Sequence, residues 1–206
     1  MHRPIIAATT AILMLVLVSG APQAKSKSNI PKERLSNGVY ASPGGEFTLK
    51  VPEGFSKELG MRAEERQTGP ATWGVFFIND FGRIFYVMWS DNDAEKKTLE
   101  QLTADIQVGG QVRSKEVVDT ARGPQVRVAG VLANGSPLMR SVERDGKRTD
   151  TAMDLVKTSS LFLHGKRFYE VTVGKTRLDD AMTDEVLIKD ANALLAESLE
   201  GLTFTD

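Results

Sequence analysis

The sequence predicts an α+β domain in which a mainly antiparallel sheet is flanked by helices. Three observations carry this. Strand-length runs separated by turn-forming Gly, Pro, Asn and Asp residues follow one another through most of the chain after Gly38. Two of those runs, Thr72 to Ile78 and Arg83 to Trp89, are apolar on both faces, as strands are when both sides of their sheet are covered. Helical periodicity appears in two stretches, Asp93 to Val108 and Thr183 to Glu200, on either side of a long series of strands.

The chain has 206 residues and opens with a basic start, Met1 to Arg3, an apolar run from Pro4 to Val18, and the small residues Ser19, Gly20 and Ala21. That order is the signature of a secretory leader. A membrane anchor is the competing reading, but spanning a bilayer takes about 20 apolar residues. This run is shorter, contains Thr9 and Thr10, and is followed by Pro22 and Gln23 rather than by a basic cluster. Residues 1–24 are therefore expected to be a signal peptide cut near residues 20–24, residues 25–37 a flexible lead-in, and residues 38–206 a single domain. The expected address is the periplasm or the cell exterior. No cysteine is present, so no disulfide staples the domain and no lipid can be attached through a thiol.

In the body of the chain, Gly38 to Ser42 and Glu46 to Val51 flank the turn Pro43-Gly44-Gly45. Phe47, Leu49 and Val51 alternate with polar neighbours at the period of a half-buried strand. Met61 to Gln67 reads as a polar edge strand. The hairpin that follows turns through Asn79-Asp80-Phe81-Gly82. Asp91 or Asp93 can cap the first helix, whose Leu99, Leu102 and Ile106 recur at helical spacing before Gly109-Gly110. Strands are expected at Val112 to Asp119 and Gln125 to Leu132. Asn134-Gly135 and Asp145-Gly146 have the chemistry of two-residue hairpins. Thr149 to Lys157 fits either a strand or a short helical turn. Leu161 to His164 and Arg167 to Val173 form a hairpin about Gly165-Lys166. Thr183 caps the last helix, with Asp184 and Glu185 at its positive end and Val186, Leu187, Ala191, Leu194, Leu195 and Leu199 as its buried stripe.

The functional inventory is sparse. A formal net charge of −1 leaves no field to attract nucleic acid. After the leader the only histidine is His164, read as a solvated turn residue rather than a general base, and with no cysteine the usual zinc ligand sets are missing. Gly174-Lys175-Thr176 ends like a phosphate loop, but Tyr169 stands where the first glycine belongs. Asp91-Asn92-Asp93 lacks the glycine and final glutamate of a calcium loop, with Lys96 and Leu102 in their places. Asn134-Gly135-Ser136 matches a glycosylation acceptor but reads as a turn. No catalytic, cofactor or metal residue is singled out, and no cofactor is expected. Phe81 at the hairpin tip is either tucked onto the sheet or exposed as a contact residue, with Arg83 beside it as a polar partner.

At Tyr40-Ala41-Ser42-Pro43-Gly44-Gly45-Glu46-Phe47-Thr48-Leu49-Lys50-Val51-Pro52 the chain resembles the opening hairpin of PsbP-like proteins. That superfamily also includes the Ran-binding Mog proteins and bacterial exported proteins. The closing part is similar too: a hairpin about Gly165, the strand Phe168 to Val173, and a long helix ending in Ser198-Leu199-Glu200-Gly201-Leu202-Thr203-Phe204. The resemblance implies an α/β/α sandwich around an antiparallel sheet and a binding or assembly role without a shared catalytic set. No functional residue carries over, because the matched positions belong to turns and core. The expectation is thus a non-catalytic exported domain that binds another envelope protein. The alternative is a small-ligand carrier or carboxylate-based hydrolase, with a pocket lined by the aromatic strands between Trp73 and Trp89.

Overall fold

The computed structural model describes residues 29–92, 96–104, 110–144 and 147–205. The leader, the first part of the lead-in, Asp93, Ile106, Gly109 and the Asp145-Gly146 turn lie outside the described residues. In chain order the elements are β1 (Leu35–Ser36), β2 (Val39–Ala41), β3 (Phe47–Lys50), a 3-10 turn at Lys57–Leu59, β4 (Arg62–Gly69), β5 (Thr72–Ile78) and β6 (Ile84–Asp91). Then come α1 (Leu99–Thr103), β7 (Gln111–Thr120), β8 (Gly123–Leu132), β9 (Met139–Arg144), β10 (Lys147–Ala152), β11 (Leu155–His164), β12 (Arg167–Thr176), α2 (Asp184–Glu200) and β13 (Leu202–Phe204).

Seven strands form the main sheet in the order β4-β5-β6-β12-β11-β8-β7, every neighbouring pair antiparallel. Register follows burial. Trp73, Val75 and Phe77 stand opposite Trp89, Val87 and Phe85, so one face of the hairpin carries an unbroken apolar set. A four-stranded sheet, β1-β2-β3-β13, packs on that face, its Tyr40, Phe47 and Leu49 fully buried. α2 lies on the same side against β11 and β12, through Leu187, Ala191, Leu195 and Leu199. Thr183 caps α2 by accepting from the Val186 amide, and Arg122 donates to the Leu199 and Leu202 carbonyls at 2.7 Å, satisfying acceptors at its far end.

The expected α/β/α sandwich is met only in part. The described residues are mostly antiparallel sheet with two α-helices, and the face bearing α2 is shared with a second sheet. On the opposite face Leu99 of α1 packs with Val126, Val128, Leu161 and Phe168. Farther across that face, long side chains of the sheet itself shield the rings: Arg66 sits 4.7 Å from the Phe76 centroid and Lys157 5.7 Å from that of Tyr86. Strands apolar on both sides announce that both sides are covered, but not whether a helix, a sheet or their own neighbours do the covering.

Local differences have local causes. α1 is capped by Thr98, not by an aspartate: its hydroxyl accepts from the Gln101 amide at 3.2 Å while the Gln101 side chain accepts from the Thr98 amide at 2.8 Å. The ambiguous stretch Thr149 to Lys157 is extended, closing β10 and opening β11. Asn134-Gly135 turns the chain, Asn134 at φ 54°, but joins no hairpin, because β8 pairs with β11 and not with β9. Val186 is exposed rather than part of the α2 stripe, which Ser198 joins instead. His164 is half-buried and stacked on Phe204, their ring centroids 3.8 Å apart, so it is a packing residue and not a solvated one.

Candidate functional site

The β5–β6 turn is held more firmly than its solvent position requires. Asn79 is buried, and its Oδ1 accepts from the Phe81 and Arg83 amides, both at 3.0 Å. Its Nδ2 donates to the Gly54 carbonyl at 2.8 Å. Gly82, at φ 67°, has its carbonyl taken by the Thr176 hydroxyl at 2.8 Å, and a Cβ there would sit 2.3 Å from that hydroxyl and 2.8 Å from Leu138. On this fixed turn Phe81 is 53 % exposed. Arg83 is half-buried and points elsewhere, into a depression of about 280 Å³ on α2 that it shares with Lys175, Asp190, Ala193, Leu194 and Glu197. The two residues singled out from the sequence thus share a turn but not a surface patch.

Phe81 is not the only exposed hydrophobic residue at this end of the sheet among the described residues. Among the described residues the exposed large hydrophobic side chains are Val39, Trp73, Phe81, Val112, Val117, Met139, Leu178, Met182 and Val186. Six of them, Phe81, Val112, Met139, Leu178, Met182 and Val186, belong to the end where β5 turns into β6, β7 and β9 begin, and β12 leads into α2. They come from strands, a helix and the connections between them, so no single period marks them as a set. The one legible signal is in Arg177-Leu178-Asp179-Asp180-Ala181-Met182, where two large apolar residues interrupt an acidic loop.

Ion pairs tie these connections together. Arg177 donates to the Asp184 carboxylate and to the Met182 carbonyl, Arg113 reaches Asp184 at 2.7 Å, and Arg140 pairs with Asp180 at 2.5 Å. Arg140, Arg177, Asp154 and Asp180, with Thr149, Thr151, Ala152 and Met153, line an open concavity of about 500 Å³. The hydrogen bond from Arg177, with the Arg113 guanidinium beside it, holds the Asp184 carboxyl below the usual aspartate range despite some burial. A depressed carboxyl stabilises the fold above its unfolded pKa, and that contribution disappears as pH falls through its folded value. Asp184→Asn is therefore expected to lower stability at pH 7 by about 1 kcal/mol, counting screening and the helix dipole. Urea midpoints of the two proteins should converge as the pH falls below the ordinary aspartate range; a gap independent of pH would contradict the ion-pair account.

The buried rings of the aromatic strands expected to line a pocket are packed against the small sheet instead. Phe47 fills the space over Trp89 and Tyr169 with ring centroids 5.1 and 5.9 Å away, and Val75, Phe77, Phe85 and Val87 are fully packed. On the other face, Glu170 accepts from Tyr86 and Thr172 at 2.9 Å each, and Thr172 shares a 2.7 Å bond with Ser159. Burial pushes the Lys157 ammonium toward its neutral form. The Glu170 carboxylate is committed to two internal donors, and this network is accounted for as support within the sheet. Among the described residues no group of three or more His, Asp or Glu is placed to hold a metal, and no helix is long and apolar enough to cross a membrane.

No protein-family profile matches the chain, and no curated protein matches it in sequence. Its fold is similar to the solution structure of cyanobacterial PsbP from Synechocystis sp. PCC 6803, at 9 % identity and a TM-score of 0.46, over 81 % of this chain and 91 % of that one. It is also similar to a crystal structure from Bacteroides thetaiotaomicron VPI-5482, at 12 % identity and a TM-score of 0.40, over 82 % of this chain and 48 % of that one. The first of these structures carries the name of the group that the opening and closing hairpins resemble in sequence.

Proposed function

We propose that this chain is a non-catalytic exported domain that docks onto another envelope protein through the Phe81 end of its main sheet. One observation supports the reading: among the described residues, six of the nine exposed large hydrophobic side chains lie at that end of the sheet, beside arginines whose partners are already in place. Apolar side chains scattered singly over a surface need no explanation, but a concentration rimmed by ordered charge marks a contact surface. Phe81 is the natural anchor, because its backbone is locked before any partner arrives and little ordering entropy is left to lose. The leader-like first residues supply the address, the periplasm or the exterior.

The test is capture from envelope extracts by the immobilised protein. Phe81→Ala is expected to lower recovery of the partner about tenfold or more, the loss of an interface hot spot. Trp73→Ala, an exposed aromatic at the opposite end, should leave recovery unchanged. Equal loss in the two variants, or in neither, would sink the docking surface.

A further inference from the structure

A second surface lies on the far edge of the sheet. Among the described residues β7 pairs only with β8, and nearly all of its ten residues are exposed. Val117, in its middle, is 70 % exposed, the most of any large hydrophobic residue described. The register shift between Val112 and Ser114 interrupts the strand at Arg113, and the turn after Thr120 ends it, leaving a regular edge from Ser114 to Thr120. Val117 is the central residue of that edge.

We propose that β7 pairs antiparallel with β7 of a second copy of this chain, the two-fold axis passing beside Val117, so that two main sheets join into one. The pleat dictates what such a seam can look like. Residues facing each other across an antiparallel pair must point to the same face, so a symmetric seam is centred on a residue. Centring on Lys115 or on Glu116 sets that charge against its own copy, which is unfavourable. Centring on Val118 takes Asp119 away from Lys115 and shortens the overlap. Centring on Val117 uses the whole regular edge: Val117 meets Val117, Lys115 meets Asp119 twice, Ser114 meets Thr120 twice, and Glu116 lies opposite Val118 twice. The first three are apolar, opposite-charge and hydroxyl pairs, each favourable across strands, and no like charges face each other. Lys115 already donates to the Thr103 carbonyl at 2.7 Å, but an ammonium has three donors and can keep that bond while meeting Asp119. Charges on a lone edge strand can also serve to discourage pairing. Here their order about Val117 is self-complementary, which discouragement does not require.

Sedimentation velocity over a concentration series tests this. The protein is expected to pass from monomer to dimer as concentration rises toward the millimolar range. Val117→Lys, at an exposed site that leaves the fold intact by circular dichroism, should weaken dimerisation about tenfold or more. Lys115→Asp alone and Asp119→Lys alone should each weaken it, and the two together should recover most of the loss. Val117→Cys supplies a geometric readout, since the chain has no other thiol and residues facing each other across strands fall within disulfide reach. It should cross-link readily on mild oxidation, whereas Val112→Cys, also exposed, should not. A protein monomeric throughout the series, a dimer indifferent to Val117→Lys, or equal cross-linking of the two cysteine variants would overturn the proposal.

Discussion

Phe47→Ala is expected to lower the unfolding free energy by about 3–5 kcal/mol, the range for deleting a fully buried aromatic side chain. Phe47 is the wedge between the two sheets. It comes from the short strand β3, is completely buried, and its ring meets those of Tyr40, Trp89, Tyr169 and Phe204 at centroid distances of 6.1, 5.1, 5.9 and 6.4 Å. Its neighbours are rings anchored on different strands, so the space it leaves cannot collapse without moving a layer. A typical domain has about 5–15 kcal/mol to lose, and the variant should therefore unfold at far lower urea. Chemical denaturation followed by tryptophan emission measures it, since Trp89 reports on the same space. A loss below about 1 kcal/mol would mean that the small sheet does not depend on this wedge.

Asn79→Ala comes next, and it acts on stability and recognition together. The substitution removes two acceptor contacts and one donor contact inside a tight turn and leaves the Gly54 carbonyl and two amides to find water. At roughly 1–3 kcal/mol for each buried group left unsatisfied, with water relieving part of it, a total near 3 kcal/mol is expected. The consequence for binding is more diagnostic. Phe81 is untouched in this variant, yet partner capture should fall nearly as far as in Phe81→Ala, because the turn no longer holds the ring in place. Capture equal to wild type, in protein shown to be folded at the assay temperature, would separate the aromatic from its scaffold and refute preorganisation as the reason for the turn's construction.

Much of this fold is legible in the primary structure, and the illegible part has identifiable reasons. β3 announces itself because Phe47 and Leu49 are buried at alternate positions, and α2 because Thr183 precedes a stripe of Leu187, Ala191, Leu195 and Leu199. The polar edge strand expected from Met61 to Gln67 is β4, Arg62–Gly69. The cap of α1 was readable as well: Thr98 followed three residues later by Gln101 is a capping box, and the acidic residues upstream compete for attention without making it. What periodicity cannot supply is the identity of the covering layer. Nothing local says that Leu202-Thr203-Phe204 returns to pair with β3 and completes the small sheet that replaces an expected helical cover. His164 illustrates the same gap, since its stacking partner Phe204 arrives from the other end of the domain. The candidate surface was half legible. A phenylalanine in a hairpin turn draws the eye, but only the fold brings exposed Met139, Leu178 and Met182 to the same end of the sheet, and Arg83 faces α2 instead.

The pairing of β3 with β13 also governs when the domain can form. Leu49 lies opposite Leu202, and Phe47 opposite Phe204, so an early strand and the last described one are hydrogen-bonded neighbours. Contacts of such long sequence separation incur the entropy of closing almost the whole chain before they return anything, which makes assembly slow and late. A growing chain therefore cannot complete its central aromatic cluster until its final strand is free. Until then the small sheet lacks one of its four members, and Phe47, Tyr169 and His164 lack the ring of Phe204 against which they pack.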